Sequence, residues 1–95
     1  MQEYAQIENG GIIENHVQEV YSAVLNGMAS GVKEKVQLAL DKGIEAEVLL
    51  NSGLIAAMKE VGQLFEDGDY YVPEMFISAR AMQSGMILLR PFLVS

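Results

Sequence analysis

Few side chains in this sequence could do chemistry. The chain holds one histidine, thirteen aspartates and glutamates, no cysteine and no tryptophan. A single histidine cannot complete a zinc site of the two-histidine type, and without cysteine there is no thiolate ligand, disulfide or cysteine nucleophile. We therefore expect neither a catalytic centre nor a metal site within these residues.

The histidine and the carboxylates point to solvated helix surfaces. His16 lies in the segment IENHVQEV, where Ile13 occupies the position that a di-iron Glu-x-x-His motif requires to be glutamate. Acidic residues occur in every segment of the chain, and Glu66, Asp67 and Asp69 flank a turn glycine. This distribution favours solvated faces over a carboxylate pair for acid–base catalysis.

Methionines at helical spacing form the more suggestive pattern. Met58, Met75, Met82 and Met86 lie on two neighbouring segments. Methionine usually fills irregular gaps in a core, and that interpretation is favoured for most of the four. The alternative is a soft apolar surface able to cover a large flat ligand.

Two adjacent tyrosines precede the last segment, in the sequence Tyr70-Tyr71-Val72-Pro73. Two neighbouring side chains at the start of a helix cannot both point into one core. One tyrosine is therefore expected at the surface or against a partner. The alternative is a hydrophobic staple that fixes how the chain enters the helix, and the sequence favours neither interpretation.

Four segments with helical periodicity must position these side chains. The first follows Gly10-Gly11, and breaks at Asn26-Gly27 and Ser30-Gly31 separate it from the second. Gly43 is expected to end the second helix in the left-handed conformation, with Ile44 folding back onto its last turn. The third segment runs from about Glu45 to Asp67 and is followed by Gly68.

The fourth segment has the clearest pattern, and its main apolar stripe extends over three heptads. That stripe consists of Val72, Met75, Ala79, Met82, Met86, Leu89 and Leu93. A second stripe of Ile77, Ala81, Leu88 and Phe92 predicts a helix buried on two sides, and Pro91 predicts an end or kink near Leu89. With no strand alternation of useful length, the fold class is all-α, an antiparallel four-helix bundle.

Charge and hydropathy exclude several classes of partner. The formal net charge is −7 and the isoelectric point is about 4.4, so the surface repels phosphate backbones and anionic lipids. We expect no nucleic-acid partner and no membrane partner. The acidic, polar N-terminus lacks the features of a signal peptide, which favours a cytoplasmic protein.

Residues 53–93 resemble the helical cap domain of cobalamin-dependent methyl-transfer proteins. This family includes cobalamin-dependent methionine synthase and the corrinoid proteins of methanol and methylamine methyltransferases. The matching features are Met58, Val61-Gly62, Phe65, Gly68, Tyr71-Val72-Pro73-Glu74, and Ser78-Ala79 through Met82. The first 45 residues match only in helix length and in the LDKGI turn, Leu40 to Ile44.

The resemblance implies a cap that shields the upper face of methylcobalamin during methyl transfer. It implies that Tyr71, Val72, Met75 and Ala79 face the corrin ring, with residues 1–11 as an N-terminal tail and residues 12–95 as the cap. The family's Asp-x-His-x-x-Gly motif is absent from this sequence. The resemblance therefore implies that the cobalt ligand and the corrinoid-binding α/β domain lie outside this chain.

Implied partners are that domain, a substrate-specific methyltransferase and a methyl-acceptor methyltransferase. The donor would be methanol, methylamine or a similar simple methylated compound, and the chain would act as a non-catalytic carrier subunit or fragment. The alternative function is a free-standing bundle that serves as a dimerisation or interaction module. A homodimer in isolation is possible under either interpretation, because a cap without its partner domain exposes apolar surface.

Overall fold

The structure, a computed structural model, describes the backbone of residues 2–93 and the side chains of residues 13–93. Helix α1 is Gln2–Leu25 and α2 is Ala29–Asp41. Helix α3 is continuous but has three parts, Ala46–Val48, a π-helical stretch Leu49–Ile55, and Ala56–Glu66. Helix α4 is Val72–Leu93. No strand occurs between residues 2 and 93, which confirms the predicted all-α class.

Glycine ends three of the four helices in the same way. Gly27, Gly43 and Gly68 have positive φ angles of 71°, 88° and 86°. After α2, the Ile44 N–H donates to the Ala39 carbonyl at 3.1 Å, the long bond of a Schellman motif. The predicted role of Gly43 is confirmed, and Ile44 is buried as expected.

The helices pack in a ring in which α1 contacts α2 and α3, and α4 contacts the same two helices from the other side. Consecutive helices α2 and α3 lie diagonally across this ring. The centre is filled mainly by aliphatic side chains from all four helices. The fully buried members with the largest side chains are Val20, Val24, Val32, Val36, Leu49, Leu54, Val61 and Leu89. This arrangement confirms a helical bundle.

Helix α4 is rotated relative to the predicted stripe. Its buried residues are Ser78, Ala81, Gly85 and Leu89. The prediction of burial on two sides was wrong, since Val72, Ile77 and Phe92 are exposed. Small residues allow α4 to approach its neighbours closely, so the core line runs between the two apolar stripes. Much of the stripes is left near the surface.

Helix α4 also continues past Pro91 to Leu93, so the predicted end near Leu89 was wrong. Proline removes only one N–H, and its helical partner would be the carbonyl of Ile87. The Ile87 side chain is 61% exposed, so water can reach this part of the last turns. The break predicted at Asn26-Gly27 is confirmed, since α1 ends at Leu25. The break predicted at Ser30-Gly31 was wrong, because α2 includes both residues.

Helix α1 begins at Gln2, so it contains most of the segment predicted as an N-terminal tail. Gly10 and Gly11 lie inside it. An interior glycine costs about 1 kcal/mol relative to alanine, which weakens a helix without ending it. The division into residues 1–11 and 12–95 stays a prediction.

Candidate functional site: an apolar face at the start of α4

The turn between α3 and α4 ends in one of the two hydrogen bonds of a capping box, the one from the N-cap backbone N–H to the glutamate side chain. Tyr71 precedes the first helical residue, and the Glu74 carboxylate accepts a 2.8 Å hydrogen bond from the Tyr71 N–H. Pro73 lies in the first turn of α4, as predicted, where its missing N–H costs nothing. These contacts hold the backbone of Tyr71 and Val72 in place.

The two adjacent tyrosines point to different surroundings. The Tyr70 hydroxyl donates a 2.8 Å hydrogen bond to the Leu25 carbonyl at the end of α1, and its side chain is half-buried. Tyr71 is 67% exposed. The prediction that one tyrosine lies at the surface is confirmed, and it is Tyr71.

Ser78 supports the same region from inside the bundle. It is 1% exposed, and its hydroxyl donates a 3.1 Å hydrogen bond to the Leu25 carbonyl. In the sequence, Ser78 is recognisable only as a small residue within a helical segment. Its hydrogen bond depends on the end of α1, which is 53 residues away in the sequence, so helical spacing alone does not reveal it.

Val72, Met75 and Ala79 share one face of α4, because their spacings of three and four residues place them one above another. Val72 is 46% exposed, and Met75 and Ala79 are half-buried. With Tyr71, these residues form an apolar surface at one end of the bundle, which we call the α4 face. All four predicted site residues are therefore accessible in the structure.

The methionines divide between the core and this surface. Met58, Met82 and Met86 pack against the buried core, as predicted for most of the four. Met75 lies outside that cluster and belongs to the α4 face. All four methionines are half-buried, and Met75 is the one of the four that does not pack against the buried core.

Phe65 extends the apolar surface onto the end of α3. It lies one helical turn beyond Val61, which is 1% exposed, yet Phe65 itself is 42% exposed. The buried stripe of α3 thus runs past the end of the packed core. The spacing of four residues from Val61 predicts a buried side chain at Phe65, so helical periodicity alone does not reveal this exposure, although an aromatic residue before an acidic glycine turn is part of the family resemblance.

Polar chemistry is sparse around this surface. Among residues 13–93, no group of three or more histidine, aspartate or glutamate side chains could hold a metal ion. His16 is half-buried on α1, and the Asp67 carboxylate accepts a 3.0 Å hydrogen bond from Gln63. The α4 face can therefore cover a ligand and exclude water, and it carries no nucleophile of its own beyond the Tyr71 phenol.

A comparison with protein families shows what kind of domain this bundle is. Residues 17–90 match the model of the B12 binding domain, which covers most of the chain, including the whole α4 face. The chain belongs to the B12 binding domain family. Family membership confirms the resemblance seen in the sequence and associates the chain with cobalamin.

Characterised relatives of this B12 binding domain are corrinoid proteins. This chain is 34% identical over 78 residues to monomethylamine corrinoid protein 1 of Methanosarcina acetivorans, and the match covers 78% of this chain and 36% of the relative. It is 39% identical over 80 residues to dimethylamine corrinoid protein 3 of the same organism, covering 81% of this chain and 36% of the relative. The chain therefore spans about a third of the length of these relatives.

A solved structure supports the same assignment. The monomethylamine corrinoid protein of Methanosarcina barkeri superposes with a TM-score of 0.79 at 29% sequence identity. The match covers 82% of this chain and 37% of that protein. Within the described part of the B12 binding domain, no helix is long and apolar enough to cross a membrane.

Proposed function

We propose that this B12 binding domain is the cap of a corrinoid methyl carrier and that its α4 face covers the upper face of the corrin ring. The observation that carries the proposal is the accessible apolar surface of Tyr71, Val72 and Met75, located inside the family match. The structure offers no cluster of metal ligands in its described residues.

The residues present fit the flat, largely apolar macrocycle. Tyr71 and Val72 expose 67% and 46% of their surface, and Met75 adds a flexible thioether that adapts to an irregular partner. When bound, the corrinoid supplies a cobalt atom that accepts a methyl group and passes it on. The α4 face would exclude water from that side without offering a competing ligand.

The cobalt ligand and most of the corrinoid contacts would come from a separate α/β domain. The relatives named above are nearly three times as long as the segment that they share with this chain, which leaves room for such a domain in them. The names of the relatives favour a methylamine as the methyl donor. Substrate-specific and methyl-acceptor methyltransferases would then be the partners, and this chain would be a non-catalytic part of the system.

A titration of the 95-residue chain with methylcobalamin tests which face binds. The methyl groups of Val72, Met75 and Ala79 can be isotopically labelled and followed by NMR, which detects weak binding. We expect their resonances to shift together as methylcobalamin is added. Met28, which is 56% exposed in the turn after α1, should not shift and serves as the control methionine.

Matched variants sharpen the assignment. Met75→Gln should weaken methylcobalamin binding several-fold, because it places a polar amide against the apolar ring. Met28→Gln makes the same chemical change at an exposed site outside the α4 face and should leave the affinity unaltered. Shifts confined to another surface, or no shifts at all, would contradict the proposal. A concentration-dependent dimer whose interface includes Met75 would support the alternative interaction module.

A further inference from the structure

Two hydroxyl groups attach the start of α4 to the end of α1. The Tyr70 and Ser78 hydroxyls both donate to the Leu25 carbonyl, at 2.8 and 3.1 Å. Tyr70 immediately precedes the α4 face, and Ser78 lies between Met75 and Ala79 in the direction of the core. The α4 face is thus flanked on its inner side by two bonds to a single backbone atom.

The backbone leaves this carbonyl for side chains to satisfy. The last four carbonyls of a helix lack intrahelical donors. In α1, the carbonyls of Ser22, Ala23 and Val24 accept from the N–H groups of Asn26, Met28 and Gly27. Among residues 13–93, the donors to the fourth carbonyl, that of Leu25, are the two hydroxyls.

The same turn is held against α4 by close packing. Gly27 has a φ of +71°, and a Cβ atom built on it would lie 2.3 Å from Cγ2 of Ile77. Only a residue without a side chain allows this approach. The end of α1 is therefore in direct contact with the second turn of α4, immediately behind the α4 face.

We propose that Tyr70 and Ser78 are positioning residues of the α4 face, acting through the Leu25 carbonyl. They hold Tyr71 and Val72 in the orientation that presents both side chains outward, so a ligand meets a preorganised surface. This inference rests on the proposed function for the ligand itself. The claim that the two hydroxyls order Tyr71 and Val72 does not depend on any ligand.

The test compares Tyr70→Phe with Tyr21→Phe in the 95-residue chain. Both changes delete one half-buried phenol hydroxyl, and the Tyr21 hydroxyl bonds instead to Glu60 across the α1–α3 interface. At the start of α4, the Tyr71 amide donates to the Glu74 carboxylate and the Met75 amide donates to the Tyr71 carbonyl. We expect hydrogen exchange at these two amides to accelerate about fivefold in Tyr70→Phe, the factor that corresponds to one neutral hydrogen bond. In Tyr21→Phe, the exchange rates of the same amides should change only as far as the global stability of the chain changes.

Methylcobalamin affinity provides the second readout. If the hydroxyls served only to stabilise the bundle, the affinity would fall together with the stability in every variant. Tyr70→Phe should weaken binding several-fold, whereas Tyr21→Phe should lose comparable stability without losing affinity. Ser78→Ala should reproduce the effect of Tyr70→Phe. Ser84→Ala, which removes a hydroxyl bonded to the Arg80 carbonyl of the same helix, should not.

Each outcome decides one of the two claims. If the amides of Tyr71 and Met75 exchange at the same rate in Tyr70→Phe and Ser78→Ala as in the unaltered chain, the positioning inference is overturned. If exchange accelerates in both variants but the unaltered chain does not bind methylcobalamin, the hydroxyls do order the α4 face. The proposed function then fails.

Discussion

The tyrosines of this chain show how a hydrogen bond separates residues that look equivalent in the sequence. Tyr70 is bound to the Leu25 carbonyl, whereas the adjacent Tyr71 projects from the bundle with two thirds of its surface exposed. A third tyrosine, Tyr21, donates to the Glu60 carboxylate across the α1–α3 interface. Of these three tyrosines, only Tyr71 has the exposure expected of a ligand contact.

The Tyr21–Glu60 contact predicts a specific pH dependence. The hydrogen bond to Glu60 raises the pKa of Tyr21 above its ordinary value of 10.0, with burial and the nearby negative charge adding to the effect. The folded state therefore holds this proton more tightly than the unfolded state. The stabilisation is complete below pH 10 and is lost as the pH rises through the folded-state pKa.

Urea unfolding of Tyr21→Phe measures this contribution. At pH 7 the variant should be less stable than the unaltered chain by about 1 kcal/mol, the usual net value of one hydrogen bond. Above pH 10 the difference between the two proteins should shrink. Other groups titrate in both proteins and cancel, so a difference that stays constant with pH would contradict the assignment.

At the level of single residues, the sequence predicted accessibility better than tertiary hydrogen bonding. A tyrosine at the surface was one of two interpretations that the sequence left open for the pair, and the structure assigns that place to Tyr71. The roles of Tyr70 and Ser78 could not be predicted, because their acceptor belongs to a helix more than 40 residues away. The periodicity of a sequence indicates which face of its helix a residue lies on, but it carries no information about a hydrogen-bond acceptor on a distant helix.

Helix α4 is placed by its small residues as much as by its large ones. A Cβ atom on Gly85 would lie 2.8 Å from Cγ1 of Val32 and 3.2 Å from Cδ2 of Leu54. Since Val32 is fully buried and β-branched, it cannot move aside cheaply. Gly85 therefore sets the distance of α4 from α2 and α3, and with it the rotation that exposes Val72.

Replacing Gly85 with alanine should destabilise the bundle in spite of alanine's better helix propensity. Overpacking a close core contact costs about 1–3 kcal/mol, against a gain of about 1 kcal/mol from propensity. Gly62→Ala is the matched control, since that position is exposed, helical and without neighbours within 4 Å. It should stabilise the chain, and thermal unfolding of both variants checks the difference in sign.

The four helices themselves were predictable, and their rotations were not. Glycine stops and apolar spacing located α2, α3 and the start of α4 to within a few residues. The heptad stripe of α4 suggested a core line through Val72 and Met86. The buried line instead runs through Ala81 and Gly85, and Leu89 is the one residue of the stripe that lies on it. A pattern that weights large apolar residues overlooks small ones, and close helix contacts depend on these.

Taken as a whole, the chain is an acidic helical bundle that exposes apolar side chains on every helix, and the α4 face lies at one end of it. The formal charge of −7 is carried by exposed carboxylates on every helix, while Phe65, Tyr71 and Val72 expose apolar surface beside the turn between α3 and α4. The fold class and the family were both predictable, because the matching residues fall in one contiguous segment. The contribution of Phe65 was not, since it requires knowing where the packed core ends.

The shielding of a reduced corrinoid tests the central claim most directly. Monomethylamine corrinoid protein 1 can be rebuilt with residues 17–90 of this chain in place of its matching segment and loaded with cobalamin. The rate at which its reduced cobalt is lost on exposure to oxygen is then followed by absorbance. Thermal unfolding confirms that each variant is folded before its rate is compared.

We predict that Tyr71→Asn combined with Met75→Gln accelerates oxidation several-fold, because water and oxygen reach the cobalt through the altered face. Met28→Gln should leave the rate unaltered. Equal rates for the doubly altered face and the unaltered protein would contradict the account, since a face that excludes nothing is not a cap.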